Sequence, residues 1–143
     1  MSLSQDSNPS AASLTFWLGF AAYVVPSFSI AYAWHLVLFA PIYHELAIYR
    51  DDVVIPFGLA SMLIQGAAFS WAYPRFFADH RAVLKNGLIY GAGIALLSWS
   101  FTTLAVAAKN VMTSVPTYMA LETGFTVAQF LVVGPLIALA YRR

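Results

Sequence analysis

Four long runs with almost no charged residue constrain this sequence more than any other feature. Three of the runs contain no Asp, Glu, Lys or Arg, and the fourth contains only Glu122. A helix of about 20 apolar residues crosses the ~30 Å hydrocarbon core of a bilayer. None of the runs alternates polar and apolar residues as a transmembrane strand would. They therefore predict four transmembrane helices, over residues 13–39, 54–74, 86–108 and 116–141.

The composition leads to the same conclusion. Apolar residues make up 61% of the 143 residues and charged residues 9%, against about 45–50% and about 25% in soluble domains. Seven basic and six acidic side chains cannot cover the surface of a soluble domain of this size. The predicted fold class is therefore all-α: a single four-helix transmembrane bundle over residues 13–143, preceded by a short polar tail over residues 1–12.

The distribution of basic residues predicts the orientation of this bundle. Both termini of a four-helix chain lie on the same side as the middle connection, and basic residues collect on the cytoplasmic side. The opposite side carries two basic residues, Arg50 and Lys109. We therefore predict that both termini are cytoplasmic, and that the basic residues of that side contact anionic lipid headgroups. These residues are Arg75, Arg81, Lys85, Arg142 and Arg143.

Small and polar side chains predict how the helices pack. Apolar surface does not drive helices together in lipid, whereas close contact between small residues and hydrogen bonds between polar ones do. The second and fourth helices each carry a glutamine near mid-membrane, and we expect these two to bond each other or a partner chain. The predicted packing residues are Gly87, Gly91 and Ala95 on the third helix, Gly58, Ser61 and Gln65 on the second, and Gln129 on the fourth.

Two ionisable residues lie at similar depth inside the predicted membrane. Glu122 follows Pro116 by six residues, which is about 9 Å along a helix. His35 precedes Pro41 by six residues, and both prolines lie at the outer ends of their helices. A carboxylate at this depth costs a few kcal/mol unless it is paired, protonated or hydrated. A His35–Glu122 hydrogen bond would keep the carboxylate charged and raise the affinity of the histidine for a proton.

This pair has a functional and a structural interpretation. It belongs either to a small polar cavity open to the outside, handling protons, a cation or a polar headgroup, or to a buried contact that fixes helix register. His44 and Glu45 are candidates to extend the site outward as lid residues or metal ligands. No recognised metal-ligand spacing is present and the sequence contains no cysteine, so we predict neither a metal nor another cofactor.

A block in the first half of the chain resembles a known group of proteins. The segments "WHLVLF", "IYHELAIYR" and "IPFGLASMLIQG", within Ala31–Pro74, are similar to small bacterial four-helix membrane proteins of a domain-of-unknown-function family. The resemblance implies a location in the bacterial inner membrane. It implies no catalytic residue.

The sequence leaves several functions open. A net charge of +1 without a basic patch argues against a nucleic-acid partner, and no catalytic motif is present. The leading prediction is a non-enzymatic accessory or self-assembling subunit, present as a homo-oligomer or in a larger membrane complex. One alternative is an oligomeric small transporter or proton-linked channel that uses Glu122 and His35. Another is a membrane enzyme acting on lipid or quinone at the outer rim.

Overall fold

The structure is a computed structural model that describes residues 9–77 and 81–142, without the side chains of residues 9–11. Within these ranges every regular element is helical. In chain order the elements are α1 (Pro9–Ala33), a first π-helical segment (Trp34–Leu38), α2 (Ala40–Glu45), α3 (Ile55–Phe76), α4 (Val83–Trp99), a second π-helical segment (Ser100–Leu104), α5 (Ala105–Lys109) and α6 (Val115–Ala140).

Four helical rods are long and apolar enough to span a membrane. The first consists of most of α1 and the first π-helical segment, and the third joins α4, the second π-helical segment and α5. The predicted all-α fold with four transmembrane helices is confirmed, and the chain is a multi-pass membrane protein. Helix α1 begins at Pro9, ahead of the predicted membrane span over residues 13–39. The rods extend over Ala12–Leu38, Ile55–Phe76, Val83–Lys109 and Val115–Ala140.

Helix α3 continues past the proline at which the sequence predicted its end. The prediction placed the end at Pro74, but the helix reaches Phe76. A proline inside a helix leaves the carbonyl four residues earlier without its N–H donor. That carbonyl belongs to Ser70, and the Tyr141 hydroxyl donates a hydrogen bond to it at 2.6 Å. Because this bond satisfies the free acceptor, the helix passes through the proline.

Helices α1 and α6 form the centre of the bundle. They pack on each other, α3 packs mainly on α1, and α4 packs on α6. Helices α4 and α6 are in backbone contact, since a methyl group at Gly87 would lie 2.5 Å from Cα of Pro135. A methyl group at Gly91 would lie 2.6 Å from the Phe130 carbonyl oxygen. These glycines allow the two helices to approach closely, and the half-buried Ala95 packs against the same core.

The sequence predicted that Gly58 and Ser61 pack the second transmembrane helix, α3, against its neighbours. Within this chain that prediction is wrong. Gly58 and Ser61 are exposed, and a methyl group at Gly58 would meet nothing within 4 Å. The buried residues of α3 are instead Gly66, Ser70 and Tyr73. Both sets have helical spacing, so both form a stripe along α3. Because α3 packs mainly on one neighbour, only one of its two small-residue stripes is covered.

The two mid-membrane glutamines do not bond each other. The side-chain amide of Gln129 is buried and donates to the Ser27 hydroxyl at 3.0 Å. Gln65 accepts a hydrogen bond from the Tyr23 hydroxyl and donates to the Ser61 hydroxyl at 2.8 Å. The expected Gln65–Gln129 bond is therefore wrong, because hydroxyl groups on α1 and α3 supply nearer partners. The two glutamines still serve the helix contacts at this depth.

Candidate functional site

The outer end of α1 is irregular because of the proline that follows it. Pro41 has no N–H and its ring would clash with the carbonyl four residues before it, so a regular helix cannot continue. The chain responds with the π-helical turn Trp34–Leu38, a break at Phe39 and a new start in α2 with Pro41 in its first turn. His35 lies within this π-helical turn. Such turns recur at functional sites.

Three elements bring polar side chains together on one carboxyl oxygen. Glu122 of α6 is buried, at 6% exposure. Its Oε1 accepts a hydrogen bond from the Tyr43 hydroxyl at 2.7 Å, and the Nε2 of His35 lies 3.2 Å from the same oxygen. The structure therefore contains the His35–Glu122 contact that the matching depths predicted, and it adds Tyr43 of α2. We refer to His35, Tyr43 and Glu122 as the outer cluster.

The Tyr43 hydroxyl is a permanent donor in this cluster. Its ring is fully buried. Burial, and after it the Glu122 carboxylate, raise the pKa of Tyr43 far above its ordinary value. The hydroxyl is therefore protonated at any physiological pH, and it offers its proton to Glu122.

The hydrogen bonds of His35 fix where one proton must lie. The Nδ1 of His35 is 3.0 Å from the Ala31 carbonyl oxygen, which can only accept, so Nδ1 carries a hydrogen. A hydrogen bond between the facing atoms, His35 Nε2 and Glu122 Oε1, then requires a second proton. Either an imidazolium donates to a carboxylate, or a protonated carboxyl donates to a neutral imidazole. Both forms are electrically neutral as a pair, so the pair changes its charge only by gaining or losing a proton.

Aromatic rings surround the outer cluster. The Phe125 ring packs edge-on against His35, with 4.4 Å between the ring centroids. The Tyr49 ring stacks on Tyr43 at 4.9 Å, and the buried indole N–H of Trp34 lies close to the Tyr43 hydroxyl. These rings keep water away from Glu122. Electrostatic interactions are stronger where water is excluded, so the charge of the pair matters here.

The connection from α2 to α3 places the Tyr49 ring. Ala47 ends α2 with a φ of 55°, in the left-handed region that non-glycine residues seldom adopt. The reversal of the chain at this point returns Tyr49 over Tyr43. The connection therefore covers the outer cluster.

A cavity of about 510 Å³ lies directly beside His35. Its walls come from the outer half of α1, the first turns of α3 and the connection between α2 and α3. This volume is in the range of small-molecule sites, about 300–1,000 Å³. Most of the wall is aliphatic. The aromatic and charged residues in the wall are Phe28, Tyr32, His35, Tyr49 and Arg50.

Two residues predicted for this site are not part of it. His44 and Glu45 are both exposed, and no described side-chain hydrogen bond joins either of them to the outer cluster. Tyr43 occupies the inward face of the short helix α2, so the next two residues point away from the bundle. The backbone carbonyl of Glu45 accepts a hydrogen bond from Thr113 at 2.9 Å. Across residues 9–77 and 81–142, no three His, Asp or Glu side chains come together as metal ligands would.

Tyr43 is the member of the cluster that sequence reasoning missed. Its position near a membrane boundary suggested only an aromatic residue at the interface. The signal that could have identified it is its place two residues after Pro41. A chain that breaks at a proline can return a side chain to the depth of the preceding turn.

The basic residues of the other end lie apart from this site. Arg75 folds back over Trp71, with its guanidinium carbon 3.6 Å from the ring centroid, and donates to the Trp71 carbonyl. The side chains of Arg81, Lys85 and Arg142 are exposed, and Arg143 lies outside the described residues. Contact of this group with lipid headgroups stays a prediction.

No protein-family model matches this chain, and no curated protein or solved structure shows significant similarity to it. The resemblance of residues 31–74 to small bacterial membrane proteins therefore stays a prediction.

Proposed function

We propose that this chain is a small proton-linked carrier of the bacterial inner membrane, with both termini in the cytoplasm. In this proposal the His35–Glu122 pair exchanges one proton with the outer aqueous phase. The orientation follows from the basic residues at the inner end. The observation that carries the proposal is the 3.2 Å contact between His35 Nε2 and Glu122 Oε1, beside a cavity of which His35 forms part of the wall.

The bundle itself offers a comparison for this pair. Deeper in the membrane, Gln129 and Ser27 join the same two helices through neutral groups. A contact of that kind fixes helix register without any ionisable group. The outer level uses a carboxyl and an imidazole instead, although buried ionisable groups are costly. Ionisable groups that are kept at such a cost favour a role for the proton itself.

Proton movement in proteoliposomes tests this proposal. An inside-negative potential would drive protons inward, and a trapped pH dye would record them. We expect acidification that exceeds the rate in Glu122→Gln liposomes by at least about tenfold, since the amide keeps the size of the side chain but cannot exchange a proton. His44→Gln is the matched control and should retain the wild-type rate, because His44 is exposed on α2. Equal rates in wild type and Glu122→Gln, with equal helicity, would refute the proposal.

A second candidate function has support from the uncovered face of α3. Gly58 and Ser61 lie exposed, at the spacing of a helix-packing stripe, and lipid-facing small residues of this kind join helices of different chains. Toward the other end of the bundle, an apolar groove of about 550 Å³ separates α3 from α4. These surfaces favour an accessory or self-assembling, non-enzymatic subunit. Four helices rarely enclose a pathway alone, so the carrier would also require at least a dimer.

Single-cysteine crosslinking in native membranes tests this association. The chain has no cysteine, so a disulfide formed by Ser61→Cys must join two chains. We expect a crosslinked homodimer for Ser61→Cys and none for Phe101→Cys, which is also exposed in the outer half of the bundle but lies outside the stripe. Crosslinking of both variants, or of neither, would contradict self-association through α3.

A further inference from the structure

We propose that the cavity beside His35 binds lipophilic organic cations, and that the bound cation and the proton of the His35–Glu122 pair replace each other. The inference rests on the proposed function and adds the substrate class to it. It draws on three features of the outer end: the charge of the pair, the lining of the cavity, and the charges of the surrounding loops.

The charge of the pair requires one positive partner. With its shared proton the pair is neutral; without it, the pair keeps the negative charge of Glu122. An uncompensated charge is unfavourable in a site screened from water by Phe125, Tyr43 and Tyr49. Glu122 is not part of the cavity wall, but a cation in the cavity would lie against His35, whose Nε2 is 3.2 Å from the Glu122 carboxyl oxygen, and would compensate the carboxylate across the imidazole ring. It would also repel the imidazolium, so the site holds either the proton or the ligand.

The lining of the cavity selects the kind of cation. The rings of Phe28, Tyr32, His35 and Tyr49 form part of the wall, and aromatic faces attract quaternary and delocalised cations. Among the described residues of the wall none is acidic. Metal ions such as Ca²⁺ and Mg²⁺ require several oxygen ligands, and such a wall does not supply them. The remaining surface is mainly aliphatic, which suits an apolar cation.

The charges at this end of the bundle also favour a cation over an anion. The exposed acidic residues Glu45, Asp51 and Asp52 outnumber the exposed basic residues Arg50 and Lys109 among those described. Arg50 is the basic residue in the cavity wall, and its side chain turns to Asp52, with a contact of 3.1 Å between Nε and Oδ1. A surface with excess negative charge raises the local concentration of cations.

Several ionisable or charged side chains surround His35. Tyr43 and Glu122 contact it from α2 and α6, and Tyr49 from the connection between α2 and α3. Tyr32 and Arg50 share the cavity wall with it. Of these groups, Glu122 is the one that carries a carboxyl group. The exchange of proton and ligand therefore depends on one carboxyl group.

Binding of tetraphenylphosphonium to the purified full chain tests the inference. Calorimetry in weakly buffered detergent micelles, with empty micelles as the baseline, gives both affinity and proton release. We expect saturable binding that releases about one proton per cation and strengthens by about tenfold per pH unit while the pair holds its proton. Tetraphenylborate has the same shape and the opposite charge, and it should show no saturable binding.

Two variants complete the test. Glu122→Gln should weaken tetraphenylphosphonium binding by at least about tenfold and abolish proton release, because the counter-charge is lost. His44→Gln should behave as wild type. Absence of saturable binding, equal binding of tetraphenylborate, or binding without proton release would overturn the inference. If proton flux in liposomes then still depended on Glu122, the proposed function would stand; if that flux were also absent, both would be rejected.

Discussion

A single methyl group at two glycines of α4 should have opposite effects on stability. Gly87 and Gly93 lie on the same helix, but their surroundings differ. A methyl group at Gly87 would lie 2.5 Å from Cα and 2.8 Å from N of Pro135, whereas one at Gly93 would meet nothing within 4 Å. We therefore predict that Gly87→Ala destabilises the bundle and that Gly93→Ala stabilises it.

The magnitude follows from the contact distances. Ordinary contacts of a Cβ atom begin near 3.4 Å, so the methyl group at Gly87 falls about 1 Å short of the space it needs. Both nearby atoms of Pro135 belong to the backbone, so no side chain can turn aside and α4 must shift away from α6. Overpacking of this kind costs about 1–3 kcal/mol. At Gly93 the change should gain about 0.5–1 kcal/mol, the helix preference of alanine over glycine.

Reversible unfolding in mixed micelles, followed by far-ultraviolet circular dichroism, measures both effects. The difference between the two variants should be about 1.5–4 kcal/mol, the sum of the packing cost and the helix gain. Gly93→Ala also controls for any general effect of the substitution on α4. If Gly87→Ala were as stable as Gly93→Ala, the close backbone contact between α4 and α6 would be wrong. The packing of these two helices on each other would then be wrong as well.

Two further variants test individual hydrogen bonds. Tyr43→Phe removes a donor at 2.7 Å from Glu122 and should lower the free energy of unfolding by about 1–3 kcal/mol, as for other buried groups that lose a hydrogen-bond partner; an unchanged value would show that the Tyr43 hydroxyl does not stabilise the Glu122 carboxyl group. Tyr141→Phe leaves the Ser70 carbonyl unpaired and should cost about 1–3 kcal/mol. The cost should shrink in a Pro74→Ala background, where the alanine N–H can bond that carbonyl, and equal costs in both backgrounds would contradict this account of Pro74.

The number of helices and the depth of the ionisable pair were predictable from sequence for the same reason. Both depend on distance along the chain, and a helix converts residue number into depth at a fixed rise. Charge-free runs therefore gave the membrane spans. Counting from Pro41 and Pro116 placed His35 and Glu122 at one level, and at that level the structure brings them to 3.2 Å.

Direction around a helix axis was harder to predict than depth. Helix α3 offers two small-residue stripes of similar spacing, one through Gly58 and Ser61 and one through Gly66 and Ser70. Spacing identifies a stripe but does not say which neighbour covers it, and α1 covers the second. The partners of Gln65 and Gln129 were missed for the same reason, because hydroxyl groups of neighbouring helices lie closer than the other glutamine.

The break at Phe39 links the architecture to the chemistry of the outer cluster. A straight helix through Pro41 would carry Tyr43 away from His35, since eight residues of helix cover about 12 Å. The π-helical turn and the restart in α2 instead bring the Tyr43 hydroxyl to the oxygen that His35 approaches. Glu122 thereby has two different neighbours. The Tyr43 hydroxyl keeps its proton at physiological pH, and the His35 imidazole is an ionisable group. In the proposed exchange, the Tyr43 hydroxyl would stabilise the carboxylate when the proton between His35 and Glu122 leaves.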